Sequence, residues 1–373
     1  MDKLVIFHPA LAPYRIDFFN SLNETFDASF YFLHKNAFEQ SFDQDLLQEK
    51  SRFLPEYLSP GFLNLKNLRL DVISILRREK PRIVFCSEYN MLGILLVFFR
   101  FFCKSKFRLF TICDDSLDIA ISCKGKNRLV RNFLVRCFDG VIVSNLDVQR
   151  WYIKTFSNNT KFIYFPIIQD DERFRIELKN ALSVSSLFEE QYKLKGKKIL
   201  LFVGRLIPLK NVSFLIKAFG EVAASHPSAV VLIVGEGEEY SRLKGEVSRL
   251  GFEGRILFLG KKQGNELYAI YNIGQLFILP SIYEPFGAVT NEALLSGCYT
   301  LCSSVAGSVD LVKEGENGDI FCPFEIKDLT SKLDKALKAI PEYGNIEVMA
   351  NRMCKSYLEY YDTLINHVRN IVG

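Results

Sequence analysis

Several common patterns are missing from this 373-residue chain, and each absence removes a class of protein. Its nine cysteines are an odd number with no C-x-x-C pair. Neither a disulfide framework nor a zinc site is therefore written into the sequence, and the thiols fit a reducing compartment. The longest uncharged apolar run, Met91–Phe99, has nine residues, where a bilayer-spanning helix needs about 20. Near the start, His8-Pro9 closes the Leu4–Phe7 run too early for a secretory signal. Excess charge is small: 47 Lys and Arg against 43 Asp and Glu give +4, too balanced for a protein that coats nucleic acid. No low-complexity tract or short repeat occurs, which removes solenoids and arrays. A P-loop is missing, and Gly235-Glu236-Gly237-Glu238-Glu239-Tyr240 lacks the third glycine of a dinucleotide fingerprint. The expectation is a cytoplasmic protein with no nucleic-acid partner.

What is present is globular. Hydrophobic residues make up 49% and charged residues 24%, enough apolar mass for a core, and the length suits two domains at about 150 residues each. Short apolar runs alternate with longer amphipathic stretches, the βαβ pattern of a parallel sheet covered by helices. In the first half the strand-like runs are Leu4–Phe7, Ser29–Leu33, Arg82–Cys86, Phe107–Cys113, Gly140–Ser144 and Phe162–Phe165. A second series follows at Ile199–Val203, Val230–Val234, Ile256–Leu259, Leu276–Leu279, Tyr299–Cys302 and Asp319–Phe321. Most runs are continuous rather than alternating, as when both sheet faces are buried. The sequence predicts an α/β protein of two doubly wound domains with a cleft between them: residues 1–168, a linker over 169–196, and residues 197–350. Residues 351–373 form a terminal helix, either packed in place or crossing back to the first domain.

Chemistry concentrates at the strand ends of the second half. The strand ending at Val203 runs into Gly204-Arg205-Leu206-Ile207-Pro208-Leu209-Lys210. A glycine there lets backbone approach a ligand, Arg205 can fork onto phosphate oxygens, and Lys210 adds a point charge. A solvated basic loop is the alternative for that segment alone. The strand Leu276–Leu279 leads to Tyr283-Glu284-Pro285-Phe286-Gly287-Ala288-Val289 and then to Glu292, inside a helix opening near Gly287. Free amides of Gly287, Ala288 and Val289 at that helix start favour an anion. A carboxylate beside an anion site repels phosphate, so Glu284 suits a neutral, hydroxyl-rich group such as a sugar, and Glu292 can accept from ribose hydroxyls. Sugar, diphosphate and ribose in a row describe a nucleotide sugar.

These motifs resemble those of the retaining GT-B glycosyltransferases of family four. The resemblance rests on the E-x7-E element Glu284 to Glu292, Leu279-Pro280-Ser281, Gly204-Arg205-x4-Lys210 and the Gly235-Glu236-Gly237 turn. Ala306-Gly307 and Glu314-Gly315-Glu316-Asn317-Gly318 continue it. It implies two facing Rossmann-like domains, a nucleotide-diphosphate sugar held by the second, and no metal or other cofactor. By the same resemblance Arg205 and Lys210 neutralise the diphosphate, Glu284 holds the transferred sugar, and Gly204, Gly235, Gly237, Phe286, Gly287, Ala288 and Val289 line the donor site. Glu292 binds ribose and Lys261 lines the base pocket. Asn211 stands where the family usually has glycine, and Asn tolerates left-handed backbone.

The first half carries fainter signals. His8-Pro9-Ala10-Leu11-Ala12-Pro13-Tyr14-Arg15 follows the first strand, which places His8, Tyr14 and Arg15 on the acceptor side. This segment replaces a Gly-Gly pair found in many family members and is similar to a subset that builds bacterial polysaccharides. Asp114 and Asp115 end another strand; either can accept a hydrogen bond from an attacking hydroxyl, or simply cap a helix. Arg100, Lys104, Lys106 and Arg108 sit among phenylalanines, and Lys124, Lys126, Arg128, Arg131 and Arg136 follow. Basic plus aromatic surface suits weak docking on an anionic membrane, with a buried helix as the alternative. The acceptor expected from the resemblance is a glycan or lipid-linked saccharide in bacterial surface polysaccharide assembly, at the inner face of the cytoplasmic membrane. A nucleotide-sugar epimerase of the same fold and a non-catalytic sugar-nucleotide-binding module are the rival readings.

Overall fold

The computed structural model describes residues 1–36, 44–61, 69–156, 159–344 and 346–373. The chain divides into two units, Met1–Gln169 with Leu358–Gly373, and Asp170–Tyr357.

In the first unit, β1 (Lys3–His8), α1 (Ile16–Thr25), β2 (Asp27–Phe32), α2 (Gln44–Lys50) and β3 (Pro55–Tyr57) come first. Then follow α3 (Asp71–Glu79), β4 (Ile83–Ser87), α4 (Met91–Phe102), β5 (Arg108–Cys113), α5 (Leu117–Ser122) and α6 (Gly125–Cys137). The series closes with β6 (Gly140–Val143), α7 (Leu146–Thr155) and β7 (Lys161–Tyr164). The seven strands are ordered β3-β2-β1-β4-β5-β6-β7, and every pairing is parallel. Leu4 through Phe7 are all buried, so β1 has protein on both faces, which is why its sequence runs continuously apolar. The short edge strand β3 has no continuous apolar run and was not foreseen.

The second unit opens with α8 (Asp171–Asn180) and α9 (Leu182–Gln191), ahead of β8 (Lys198–Val203), α10 (Val212–Val222), β9 (Ala229–Val234) and α11 (Tyr240–Arg249). It continues through β10 (Ile256–Gly260), α12 (Gly264–Ile273), β11 (Leu276–Leu279), α13 (Val289–Leu295) and β12 (Tyr299–Ser303). Its last elements are β13 (Gly318–Phe321) and α14 (Ile326–Ala339); the helix that follows, α15 (Tyr357–Val372), belongs from Leu358 on to the first unit. Its sheet is parallel in the order β10-β9-β8-β11-β12-β13, the doubly wound arrangement. Ile199, Leu201 and Val203 point into one core with Phe174, Leu178 and Ile270. Leu200 and Phe202 point into the other with Leu215, Phe219 and Leu333.

Two expectations change here. Residues 169–196 are no linker: Asp170 caps α8 by accepting from the Arg173 amide at 2.9 Å, and Phe174, Leu178, Ala181 and Phe188 enter the second unit's core. The polar stretch that suggested a connection is the solvent face of this helical pair. The terminal helix starts at Tyr357 rather than at residue 351, and its Tyr361 hydroxyl donates to the Ser21 carbonyl of α1 at 2.7 Å.

Candidate functional site

In a doubly wound sheet, ligands gather outside the carboxyl ends of the strands where the order reverses. In the second unit that point lies between β8 and β11, and the segments leaving those strands are Gly204–Lys210 and Pro280–Glu292. The Ile282 amide donates to the Leu209 carbonyl at 3.0 Å, which ties the two segments together. The Lys210 ammonium forms an ion pair with the Glu284 carboxylate, and Glu284 is buried at 8% exposure. A residue this dry keeps its charge only with a partner, and Ser281 Oγ supplies a further, longer hydrogen bond at 3.4 Å. Lys210 and Glu284 therefore share one rim. Arg205 is exposed and, among the described residues, its side chain makes no hydrogen bond or ion pair. Asn211 takes the left-handed backbone, φ 53°, that its position after Lys210 demands.

Gly287 adopts φ +92°, and a Cβ there would meet Glu284 Cγ, Leu279 Cδ2 and Ser308 Oγ, each at 3.0 Å. Both conformation and space require glycine. The helix that follows begins at Val289 rather than near Gly287. Ala288 occupies its N-cap position without a side-chain cap, and Phe286 is buried. Glu292, partly buried, accepts from the Tyr271 hydroxyl at 2.7 Å; the tyrosine is wholly buried, so the carboxylate is held from within the core. Lys261 lies exposed just past β10.

Gly235 and Gly237 have a packing reason of their own. A Cβ on Gly235 would lie 1.8 Å from the Gly204 carbonyl oxygen, and one on Gly237 would lie 2.2 Å from that of Leu206. These glycines let the Gly204–Leu206 backbone close onto the Gly235 turn, through Leu206 N to Glu236 O at 2.8 Å and Glu239 N to Leu206 O at 3.0 Å. Sequence reasoning assigned no role to Gly307. A Cβ there would sit 2.0 Å from the Pro285 carbonyl oxygen, and the Gly307 and Ser308 amides donate to Glu284 O at 3.0 Å and Phe286 O at 2.7 Å. The turn after β12 thus clamps the Glu284 loop.

The first unit has its own reversal point, between β1 and β4. His8 ends β1, is buried, and its Nδ1 lies 2.9 Å from the Ala10 carbonyl. A carbonyl only accepts, so the proton sits on Nδ1 and Nε2 is left as an acceptor. Burial, then the Arg15 charge, lowers the imidazole to about 4. Arg15 is 2% exposed and pairs with Asp114, while its Nε has no partner among the described residues. Asp114 is thus held by a cation rather than standing free. Asp115 receives the Tyr152 hydroxyl at 3.4 Å, and desolvation raises its carboxyl. Burial also raises the Tyr14 phenol.

Glu88, in the turn after β4, was missed. Its φ is +60°, an uncommon conformation for a non-glycine residue. The side chain is exposed yet crowded by protein, and that desolvation, with the charges of Asp114 and Asp115, raises it to about 7. The available signal was positional: it is the first acidic residue beyond a strand that borders the sheet's reversal point. The nine cysteines are unpaired thiols. Among the described residues no helix is long and apolar enough to cross a membrane.

Two doubly wound units with functional groups at their strand ends define the GT-B class, and solved structures agree. The fold is similar to Anabaena HepE in complex with UDP, with a TM-score of 0.73 and 19% identity over 99% of this chain and 100% of that one. The apo lipopolysaccharide outer core galactosyltransferase WaaB gives 0.70 and 16% identity over 99% of each. Residues 185–347 match the family of glycosyl transferases group 1. An uncharacterized glycosyltransferase of Methanocaldococcus jannaschii is 32% identical over 44% of this chain and 41% of its own length. Mannosylfructose-phosphate synthase of Agrobacterium fabrum is 29% identical over 62% and 52%. The chain spans about half the length of the curated relatives it matches.

Proposed function

We propose that this protein is a retaining, metal-independent glycosyltransferase that moves a sugar from a nucleoside-diphosphate sugar to a hydroxyl acceptor. The observation that carries the reading is the pairing of Lys210 with Glu284 beside the Gly287 turn, within a segment of group 1 sequence. Without donor the two charges neutralise each other. A donor laid along this rim gives Lys210 its diphosphate and Glu284 its sugar hydroxyls, so the pair exchanges one set of partners for another. Arg205, exposed and uncommitted, brings a second cation to the leaving group, and Glu292, oriented by Tyr271, takes the ribose. Bond breakage builds negative charge on the leaving phosphate. Fixed donors aimed at such charge contribute about 10²–10³ in rate each, and the same phosphate takes the acceptor's proton on the retained face.

HepE was solved with UDP-glucose, which makes a UDP-sugar the first donor to try. The acceptor reading is a glycan or lipid-linked saccharide of bacterial surface polysaccharide, met by the first unit's His8, Tyr14, Arg15, Glu88 and Asp114 group. The basic, aromatic surface of that unit holds the protein on an anionic membrane. UDP-, GDP- and ADP-sugars compared by thermal shift identify the donor, since a ligand of the native state raises the melting point. Transfer is then measured with and without chelator; loss of activity on chelation overturns metal independence. Glu284→Ala and Lys210→Ala should each lower transfer by about 10²-fold or more while the fold persists. Near-normal turnover in either variant refutes the assignment.

A further inference from the structure

The residues between Met91 and Cys137 carry nine Lys and Arg against three Asp, so the rest of the chain, with 38 against 40, is slightly acidic. The cations of this segment are not spread evenly. A cavity of about 1110 Å³ opens at the amino ends of the first unit's strands, the end of the sheet away from His8, Glu88 and Asp114. Arg82, Arg100, Lys106, Arg108, Arg136 and Lys161 line it, and Asp139 is the single acidic side chain among them. Arg82 and Arg108 stand at the starts of β4 and β5, Lys161 opens β7, and Arg100 and Arg136 come from the last turns of α4 and α6.

Part of this charge is already used. Asp139 accepts from Arg100 at 2.5 Å and from Arg108 at 3.1 Å, and Arg82 donates to Asp2 at 2.9 Å. Arg100 also caps α6 through the Cys137 carbonyl, and Arg136 donates to the Asn132 carbonyl at 2.6 Å. Among the described residues the side chains of Lys106 and Lys161 make no ion pair or hydrogen bond, and both are exposed. Six cations face the carboxylates of Asp139 and Asp2, with Arg82 also donating to a Gly373 oxygen at 3.1 Å, and the net positive charge left in the cavity calls for an anion.

The mouth shows what kind. Phe101 lines the cavity and is 77% exposed, and Phe102 beside it is 71% exposed. Their rings meet edge to face at 5.3 Å, and Phe102 stacks on the exposed Phe98 at 5.9 Å. A soluble anion gives no reason for a strip of aromatic surface leading out of a cationic cavity. A phosphate on an acyl-bearing molecule does, because headgroup and chain then meet charge and apolar surface in the right order. We infer that the cavity at the amino ends of β4, β5 and β7 is a binding site for the phosphate headgroup of an anionic phospholipid, with Phe98, Phe101 and Phe102 entering the membrane interface. This site rests on the membrane reading given above and makes it specific to one end of the sheet.

The test is flotation of the whole protein with phosphatidylcholine vesicles, alone or containing phosphatidylglycerol. The protein should partition onto the phosphatidylglycerol vesicles. A lysine near an anionic surface is worth about fivefold in partitioning, so Lys106→Ala with Lys161→Ala should weaken binding about 25-fold. Lys124→Ala with Lys126→Ala removes equal charge from the other end of α6 and should cost less than about threefold, since that end lies beyond a Debye length of the cavity. All four side chains are exposed, and melting temperatures check that the variants fold. Equal losses from the two pairs overturn the cavity and leave a diffuse basic surface on the membrane. Equal partitioning onto both vesicle types overturns cavity and membrane reading together. Stabilisation of the wild type, but not of the Lys106/Lys161 variant, by soluble glycerol phosphate without vesicle binding overturns the lipid and leaves a free phosphoester site.

Discussion

Replacing Gly235 with alanine tests whether the cationic loop is positioned by its neighbour. The added Cβ would stand 1.8 Å from the Gly204 carbonyl oxygen, where real Cβ atoms keep at least 3.0 Å. One backbone segment must therefore retreat by 1.2 Å or more, and φ +138° at this position adds strain of its own, about 1–3 kcal/mol. The retreat stretches Gly204 N to Val234 O at 3.0 Å and Leu206 N to Glu236 O at 2.8 Å, each worth about 1 kcal/mol. The expected loss is about 2–5 kcal/mol, a large part of a typical 5–15. Arg205 sits inside the displaced segment, and a misplacement of about 1 Å can cost 10²-fold in rate. Gly245→Ala is the control: it lies exposed within α11 with nothing within 4 Å of its Cβ, and it should stabilise by about 0.5–1 kcal/mol. Urea unfolding and UDP-sugar thermal shifts on both variants decide the matter. A Gly235→Ala protein that melts and binds donor like the wild type would refute the close-approach argument.

Two further changes probe the first unit. Asp114→Ala strands the buried Arg15 charge, whose Nε already lacks a partner. Breaking a buried pair costs about 3–5 kcal/mol; with Asp114 about a third exposed, about 1–3 is expected, and Asp114→Asn should recover part of it in denaturant titrations. His8 works through pH. Its folded pKa of about 4 lies below the ordinary 6.5, so the unfolded chain binds the proton more readily between those values. Its contribution is complete above pH 6.5 and declines by about 3 kcal/mol as pH falls to 4. His8→Asn, which keeps a donor for Ala10, should flatten that slope; an unchanged slope would show that the imidazole is not held neutral.

The parallel architecture was legible because strands buried on both faces must be continuously apolar, and Leu276–Leu279 was read to the residue. The polar helices α8 and α9 were not, since an amphipathic pair with a wide solvent face reads locally like a connection. At the carboxyl end of the second sheet, Arg205, Lys210, Glu284 and Glu292 stood out as charges placed just beyond apolar strands. Chain order alone could not show that Lys210 closes onto Glu284, that Asp114 is committed to Arg15, or that Gly307 clamps the Pro285 carbonyl. Glu88 and the cationic cavity were invisible for the same reason: both depend on which strand ends lie side by side. Periodicity and residue chemistry fix which groups exist and which element carries each, because they act over a few residues. Partnership between residues 74 positions apart, as for Lys210 and Glu284, is set by strand order and register, and only the folded sheets contain that information.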